Sequence, residues 1–161
     1  MAEAALSGAT HPILENDYAS EWMGIEVLAV SDGHATIRMT LRQEMLNGFG
    51  MAHGGMIFAF ADSAFALACN PVNPTPEEAD SITVAAGVDI NFLKPAYRGQ
   101  VITAVANRRS SSGRSGLYDI QIFAADADTQ HGAQPDSIPS SGNPGELIAE
   151  FRGRSRTIPK K

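Results

Sequence analysis

Hydrophobic and polar positions alternate most cleanly between residues 35 and 42, where Ala35, Ile37, Met39 and Leu41 are interleaved with Thr36, Arg38, Thr40 and Arg42. A period of two belongs to a strand with one buried face. Just upstream, Ile25 to Val30 reads as a second strand, and Asp32-Gly33 between them is a two-residue hairpin signal. Earlier still, Asp17 is placed to cap a short helix over Tyr18 to Met23 that Gly24 would end. The alternation breaks over Gln43 to His53. Beyond Gly54 and Gly55 comes an apolar run, MIFAFADSAFALACN, stopped by Asn70-Pro71. Ile57, Ala61, Ala64, Phe65 and Ala68 fall on one helical stripe, and Phe58, Phe60 and Leu67 widen it over most faces. A helix of that kind is expected to be buried all round, with its alanines admitting a sheet at close range.

Residues 71–80 hold three prolines and two adjacent glutamates and read as a loop. Four strand-like segments follow: Ile82 to Leu93, Gln100 to Asn107, a run in which Tyr118, Ile120, Ile122 and Ala124 alternate with Asp119, Gln121 and Phe123, and one in which Leu147, Ala149 and Phe151 alternate with Ile148, Glu150 and Arg152. The Pro/Gly/Ser-rich segment 126–145 is expected to be a long hairpin loop between the last two strands. Residues 1–12 and 159–161 are expected to be flexible. Two strands, one helix and four strands make a single α+β domain spanning 1–161. One helix cannot cover a six-stranded sheet alone, so a partner subunit is expected at a face or an edge.

Composition narrows the function. The chain has 161 residues, a net charge of −6 and no long basic run, which leaves nucleic-acid binding without an electrostatic footprint. The single cysteine, Cys69, excludes an internal disulfide. The four histidines lack ligand spacing, so neither a metal nor another cofactor is expected. There is no secretory signal pattern at the N-terminus. The most apolar run, Met56 to Cys69, is too short to span a membrane and carries Asp62. A cytoplasmic protein is the simple reading.

Asp62 is the most informative residue, a carboxylate in the middle of an apolar helix. Burying it ionised and unpartnered costs several kcal/mol, so it is either tethered by hydrogen bonds or used. Ahead of it, His53, Gly54 and Gly55 open the same helix. Backbone N–H groups at a glycine-rich helix N-terminus suit a carbonyl that gains negative charge during acyl transfer; the plainer alternative is a turn that packs tightly. His53 reads as a positioning residue before a general base, and Asn47 either as a hydrogen-bonding group of the site or as a turn residue in Asn-Gly. Cys69 reads as an inert buried thiol. Lys94, Arg98, Arg108, Arg109 and Arg114 gather at strand ends and in the SSSGRSG turn around Gly113, where they could hold phosphates or be ordinary solvated charges.

The stretch LNGFGMAHGGMIFAFADSAFALACN resembles the signature of the PaaI-type phenylacetyl-CoA thioesterase branch of hotdog-fold proteins: Asn-Gly, a short gap, His-Gly-Gly, then a helix carrying Ala-Asp and ending in Cys-Asn. ENDYASEWMGIEV, VDINFLKPA, GLYDIQIF and ELIAEFRGRSRTI extend the resemblance from about residue 13 to residue 158. The resemblance implies a long helix wrapped by a curved antiparallel sheet, a homodimer with its active site at the interface, and association into a homotetramer. It implies that Gly54 N–H polarises the thioester carbonyl and that Asp62 of the opposite subunit acts as general base or nucleophile, with Asn47 positioning water or thioester and His53 supporting the loop. Gly55, Phe58, Arg109, Gly113 and Arg114 are the substrate-binding candidates. One departure stands out: where other hotdog thioesterases place a Ser or Thr opposite the carboxylate, this chain has Ala85-Ala86.

The function expected is hydrolysis of an aryl- or arylacetyl-CoA, phenylacetyl-CoA or a hydroxylated relative, linked to phenylacetate degradation. A hotdog hydratase or dehydratase is the first rival, disfavoured because no Asp-x4-His pair follows the helix. A non-catalytic acyl-CoA sensor is the second, and 161 residues leave no room for an effector module.

Overall fold

The computed structural model describes residues 11–127 and 144–161. Asp17 caps α1 (Tyr18–Met23), its Oδ1 accepting from Ser20 N at 3.0 Å, and Gly24 ends the helix at φ +72°. The hairpin of β1 (Glu26–Ser31) and β2 (His34–Thr40) turns at Asp32-Gly33, where Gly33 takes φ +74°. The sixteen-residue α2 (Gly54–Cys69) follows, then β3 (Ser81–Phe92), β4 (Val101–Ser112), β5 (Ser115–Ala125) and β6 (Glu146–Pro159). All strand pairs are antiparallel, in the order β1-β2-β4-β5-β6-β3.

The core is the layer between this sheet and α2. Ile37 and Met39 of β2, Ile102 and Ala104 of β4, Ile120 and Ile122 of β5 and Phe151 of β6 are buried against Ile57, Phe60, Ala64 and Phe65 of the helix. Phe65 stands edge-on to Tyr118 with ring centroids 5.2 Å apart. Small residues let the helix sit this close: a Cβ at Gly153 would lie 3.0 Å from the rings of both Phe65 and Phe151.

Two strands depart from the sequence reading, in three places. β4 continues past Asn107 to Ser112, and all of 107–112 is exposed. β6 runs to Pro159, its inner positions beyond Phe151 being Gly153 and Ser155 and its outer ones Arg152, Arg154 and Arg156. Neither extension displays the apolar alternation that marks a strand, because aromatic rings fill the space above Gly153 and no core covers 107–112. In β6, Ile148 is the third departure. It is fully buried rather than outward-facing, because a bulge skips it between the pairs Ile122↔Ala149 and Phe123↔Leu147. Its carbonyl accepts from Leu93 N at 2.8 Å and closes the end of β3.

Two described residues near the chain ends are held by hydrogen bonds. His11, within the stretch 1–12, is buried and its Nε2 bonds Asn70 O at 2.9 Å. Lys160 N donates to Asp80 O at 2.9 Å. Residues 1–10, and most of the loop expected at 126–145, lie outside the described residues. β3 is an outer strand twelve residues long and exposes Ile82, Val84 and Phe92. A long apolar edge of this kind is a template for pairing with another chain.

Candidate functional site

α2 is not buried all round. Ile57, Phe60, Ala61, Ala64, Phe65, Leu67 and Ala68 are buried, while Gly55, Ala59, Asp62, Ser63 and Ala66 are among the positions left partly or fully exposed. Those open positions recur at helical spacing and form one stripe. Asp62 sits in its middle, half-buried, with no hydrogen bond or ion pair to any described residue. The plainer alternative, an aspartate tethering a loop, is therefore not what the chain builds. Desolvation by burial raises the Asp62 carboxyl above its ordinary value.

The helix start is organised by its cap. His53 Nδ1 accepts from Gly55 N at 2.9 Å, and His53 O accepts from Met56 N at 2.9 Å and Ile57 N at 3.2 Å. Of the four N–H groups that an α-helix leaves over at its start, only that of Gly54 has no acceptor among the described residues. A side chain there would crowd the site, since a Cβ at Gly54 would lie 3.2 Å from the Phe92 ring. His53, with Nδ1 engaged, acts in the loop geometry. Asn47 holds the preceding turn: its Oδ1 accepts from Phe49 N at 2.9 Å and Met51 N at 3.2 Å, and Gly50 takes φ +79°.

Gly54 and Asp62 are eight residues apart on one helix, about 12 Å along its axis at an α-helical rise. No single carbonyl can touch both groups of one chain. The sequence-predicted substrate residues are likewise spread out. Phe58 packs on Phe151, ring centroids 5.5 Å apart, and does not line the cleft at Asp62. Arg109 pairs with Asp119 at 3.4 Å on the outer face of the sheet, opposite α2. Gly113, at φ +59°, and Arg114 form the exposed turn between β4 and β5. Of the other basic candidates, Arg108 makes a two-pronged bond to Asp32 and Lys94 pairs with Glu146. Lys94, Arg108, Arg109 and Arg114 thus do not converge.

Residues 49–130 match the model of the family described as the thioesterase superfamily. The chain belongs to that superfamily. It is similar to the acyl-coenzyme A thioesterase PaaI of Escherichia coli strain K12, with 38% identity over 92% of this chain and 88% of that protein. A putative esterase of Deinococcus radiodurans is 31% identical over 83% of this chain and 75% of its own. Among solved structures, the E. coli PaaI protein from the phenylacetic acid degradation operon superposes with a TM-score of 0.71 at 33% identity, covering 91% of this chain and 88% of that one. A mutant form of the phenylacetic acid degradation protein PaaI from Thermus thermophilus gives 0.68 at 28% identity, covering 87% and 98%. The fold is the hotdog fold, and the protein is a thioester hydrolase.

In this thioesterase the sequence reading missed the wall opposite Asp62. Ile13, Leu14, Asp17 and Met23 of the N-terminal segment face Ala59, Asp62 and Ala66 across a cleft of about 230 Å³. Ser20, buried, joins the two sides: its Oγ donates to Asp17 Oδ2 at 2.7 Å and lies 3.1 Å from Ser63 Oγ. Cys69, half-buried at the end of α2, has its thiol pushed up to about 12 by burial.

Proposed function

We propose that this thioesterase hydrolyses acyl-CoA, with an aryl- or arylacetyl-CoA such as phenylacetyl-CoA or a hydroxylated relative as substrate, in the cytoplasm and within phenylacetate breakdown. The observation that carries the reading is Asp62, a carboxylate on the open stripe of α2 that no described residue satisfies. The similarity to the E. coli acyl-CoA thioesterase supplies the substrate class. The phenylacetic acid operon of that relative's structure suggests the acyl group.

The active site then needs two subunits, because about 12 Å of helix separates Gly54 from Asp62 in one. Pairing along the β3 edge in a homodimer brings Gly54 of one copy towards Asp62 of the other, and dimers associate into a homotetramer. Gly54 N–H donates to the thioester oxygen and stabilises the charge that develops there. Asp62 either takes a proton from water as it attacks the carbonyl carbon, or attacks itself and is released by water. In both routes water adds, the C–S bond breaks, and the sulfur leaves with a proton as free coenzyme A beside the carboxylic acid. Asn47 and His53 keep the loop in register, and Gly55 leaves room for the cap. Phe58, Arg109, Gly113 and Arg114 would contact coenzyme A only across the assembled interface.

Thiol release from a panel of acyl-CoAs tests this. Phenylacetyl-CoA should turn over, and Asp62→Asn should lower kcat more than about a thousandfold while the variant stays folded. A wild type that binds acyl-CoA yet releases no thiol from any thioester, or an Asp62→Asn variant with undiminished activity, would end the reading and leave a binding protein.

A further inference from the structure

We infer that the cleft between α2 and the N-terminal segment is the acyl pocket of this enzyme, and that Ala59 and Ala66 on its floor, opposite Leu14 and Met23, set the size of the acyl group accepted. The inference rests on the thioester hydrolysis proposed above.

A thioester carbonyl held at Asp62 has two arms to place. The coenzyme A arm is long and carries phosphates; the acyl arm is short and, for an aryl acid, apolar. The cleft opening from Asp62 is lined largely by apolar residues, Ile13, Leu14, Met23 and Leu67 among them. It contains two carboxylates, Asp17 and Asp62, and no Lys or Arg among the described residues. Phosphates would meet like charge there without a partner, so this side of Asp62 fits the acyl arm alone.

The wall is fixed in place rather than draped. Ser20 ties α1 to Asp17 at 2.7 Å and to Ser63 of α2 at 3.1 Å. At the other end of the segment, His11 Nδ1 accepts from Ile13 N at 3.2 Å, so its Nε2 carries the proton donated to Asn70 O at 2.9 Å. With both ends pinned, the width of the cleft depends on what projects from the floor. Ala59 and Ala66 flank Asp62 by one helical turn on either side, and each projects only a methyl group. Both positions are half-buried, so leucine, a good helix former, can replace either without opening the core.

The full-length variants Ala59→Leu and Ala66→Leu would be assayed on acetyl-, butyryl- and phenylacetyl-CoA. In each, the ratio of kcat/KM for phenylacetyl-CoA to that for acetyl-CoA should fall by more than about tenfold. Leu14→Ala should move the same ratio the other way. Unchanged ratios, or rates that fall together on all three substrates, would overturn the acyl-pocket assignment while leaving the hydrolase intact. A wild type inactive on every thioester would instead remove the proposed function, and the pocket with it.

Discussion

The two faces of α2 are built from nearly the same palette and do opposite work. On the sheet side, Phe60, Ala61, Ala64 and Phe65 are each no more than 1% exposed and packed against rings and branched side chains. On the other, Gly55, Ala59, Ser63 and Ala66 surround a carboxylate with no bonded neighbour among the described residues. Hydrophobic content does not separate the faces, since alanine appears on both. What separates them is whether each group's needs are met inside the chain. Every buried side-chain polar atom among the described residues finds a hydrogen-bond partner. Asp62, half-buried, has no hydrogen bond or ion pair among the described residues, and burial raises its carboxyl above the ordinary value. An unmet group beside an open cleft marks where something from outside, a substrate or a second subunit, completes the structure.

The largest way to break this contrast is to damage the packed face. Phe65→Ala removes a ring held by Tyr118 at 5.2 Å and Phe151 at 6.0 Å. It should destabilise the protein by about 3–5 kcal/mol. Urea denaturation should register that loss in full, with turnover falling only as the folded fraction falls. If Phe65→Ala abolished turnover in a protein that remained folded, the division into a structural face and a chemical face would be wrong.

Gly54→Ala sharpens the contrast from the other side. Alanine is the better helix residue, and position 54 is on the first turn, so stability should hold or rise slightly. The added Cβ would press on the Phe92 ring at 3.2 Å, and moving either group displaces the one N–H of the helix start that lacks an acceptor among the described residues. We expect kcat to drop by about ten- to a hundredfold, less than the roughly 10²–10³ expected when such a donor is removed outright, because the N–H itself remains. Steady-state rates beside melting curves check both halves. A fall in stability without a fall in kcat would make Gly54 a packing residue.

Much of this is legible in the chain itself. The caps and turns are, because Asp17, Gly24, Asp32-Gly33 and Asn70-Pro71 each have a local physical reason to sit where they do. The strands that face α2 are legible through their period of two. The extensions of β4 and β6 are hidden, because outside the core Arg, Ser and Gly replace the apolar half of the alternation. Asp62 and Gly54 can be singled out because an acid in an apolar helix and a glycine pair at its start are anomalies on their own. The Ser20–Ser63 tie cannot be read, as the two residues are 43 positions apart in sequence and each is an ordinary serine. The basic candidates show the converse error: charges that gather in sequence at strand ends point to different faces once strands pair, and Arg108 and Arg109, adjacent in the chain, bond Asp32 and Asp119 respectively.

The smallest effect tests the idea of an unmet group most directly. Burial raises the Asp62 carboxyl pKa in the folded protein above its unfolded value. Folding therefore favours the protonated form, and the wild type is spared the penalty at pH below the unfolded value of about 3.9. As pH rises through the higher folded value the charge appears in the cleft and stability is lost. Asp62→Asn carries no such charge. Its melting temperature should match the wild type near pH 4 and exceed it at pH 7, by about a few degrees at most because the carboxylate is only half-buried. The same shift should place the acid limb of the wild-type rate profile above an ordinary aspartate, since Asp62 must be ionised to act as base or nucleophile. A variant less stable than wild type at pH 7 would mean that Asp62 is satisfied within its own assembly before substrate arrives, and the contrast between the two faces of α2 would then be structural on both sides.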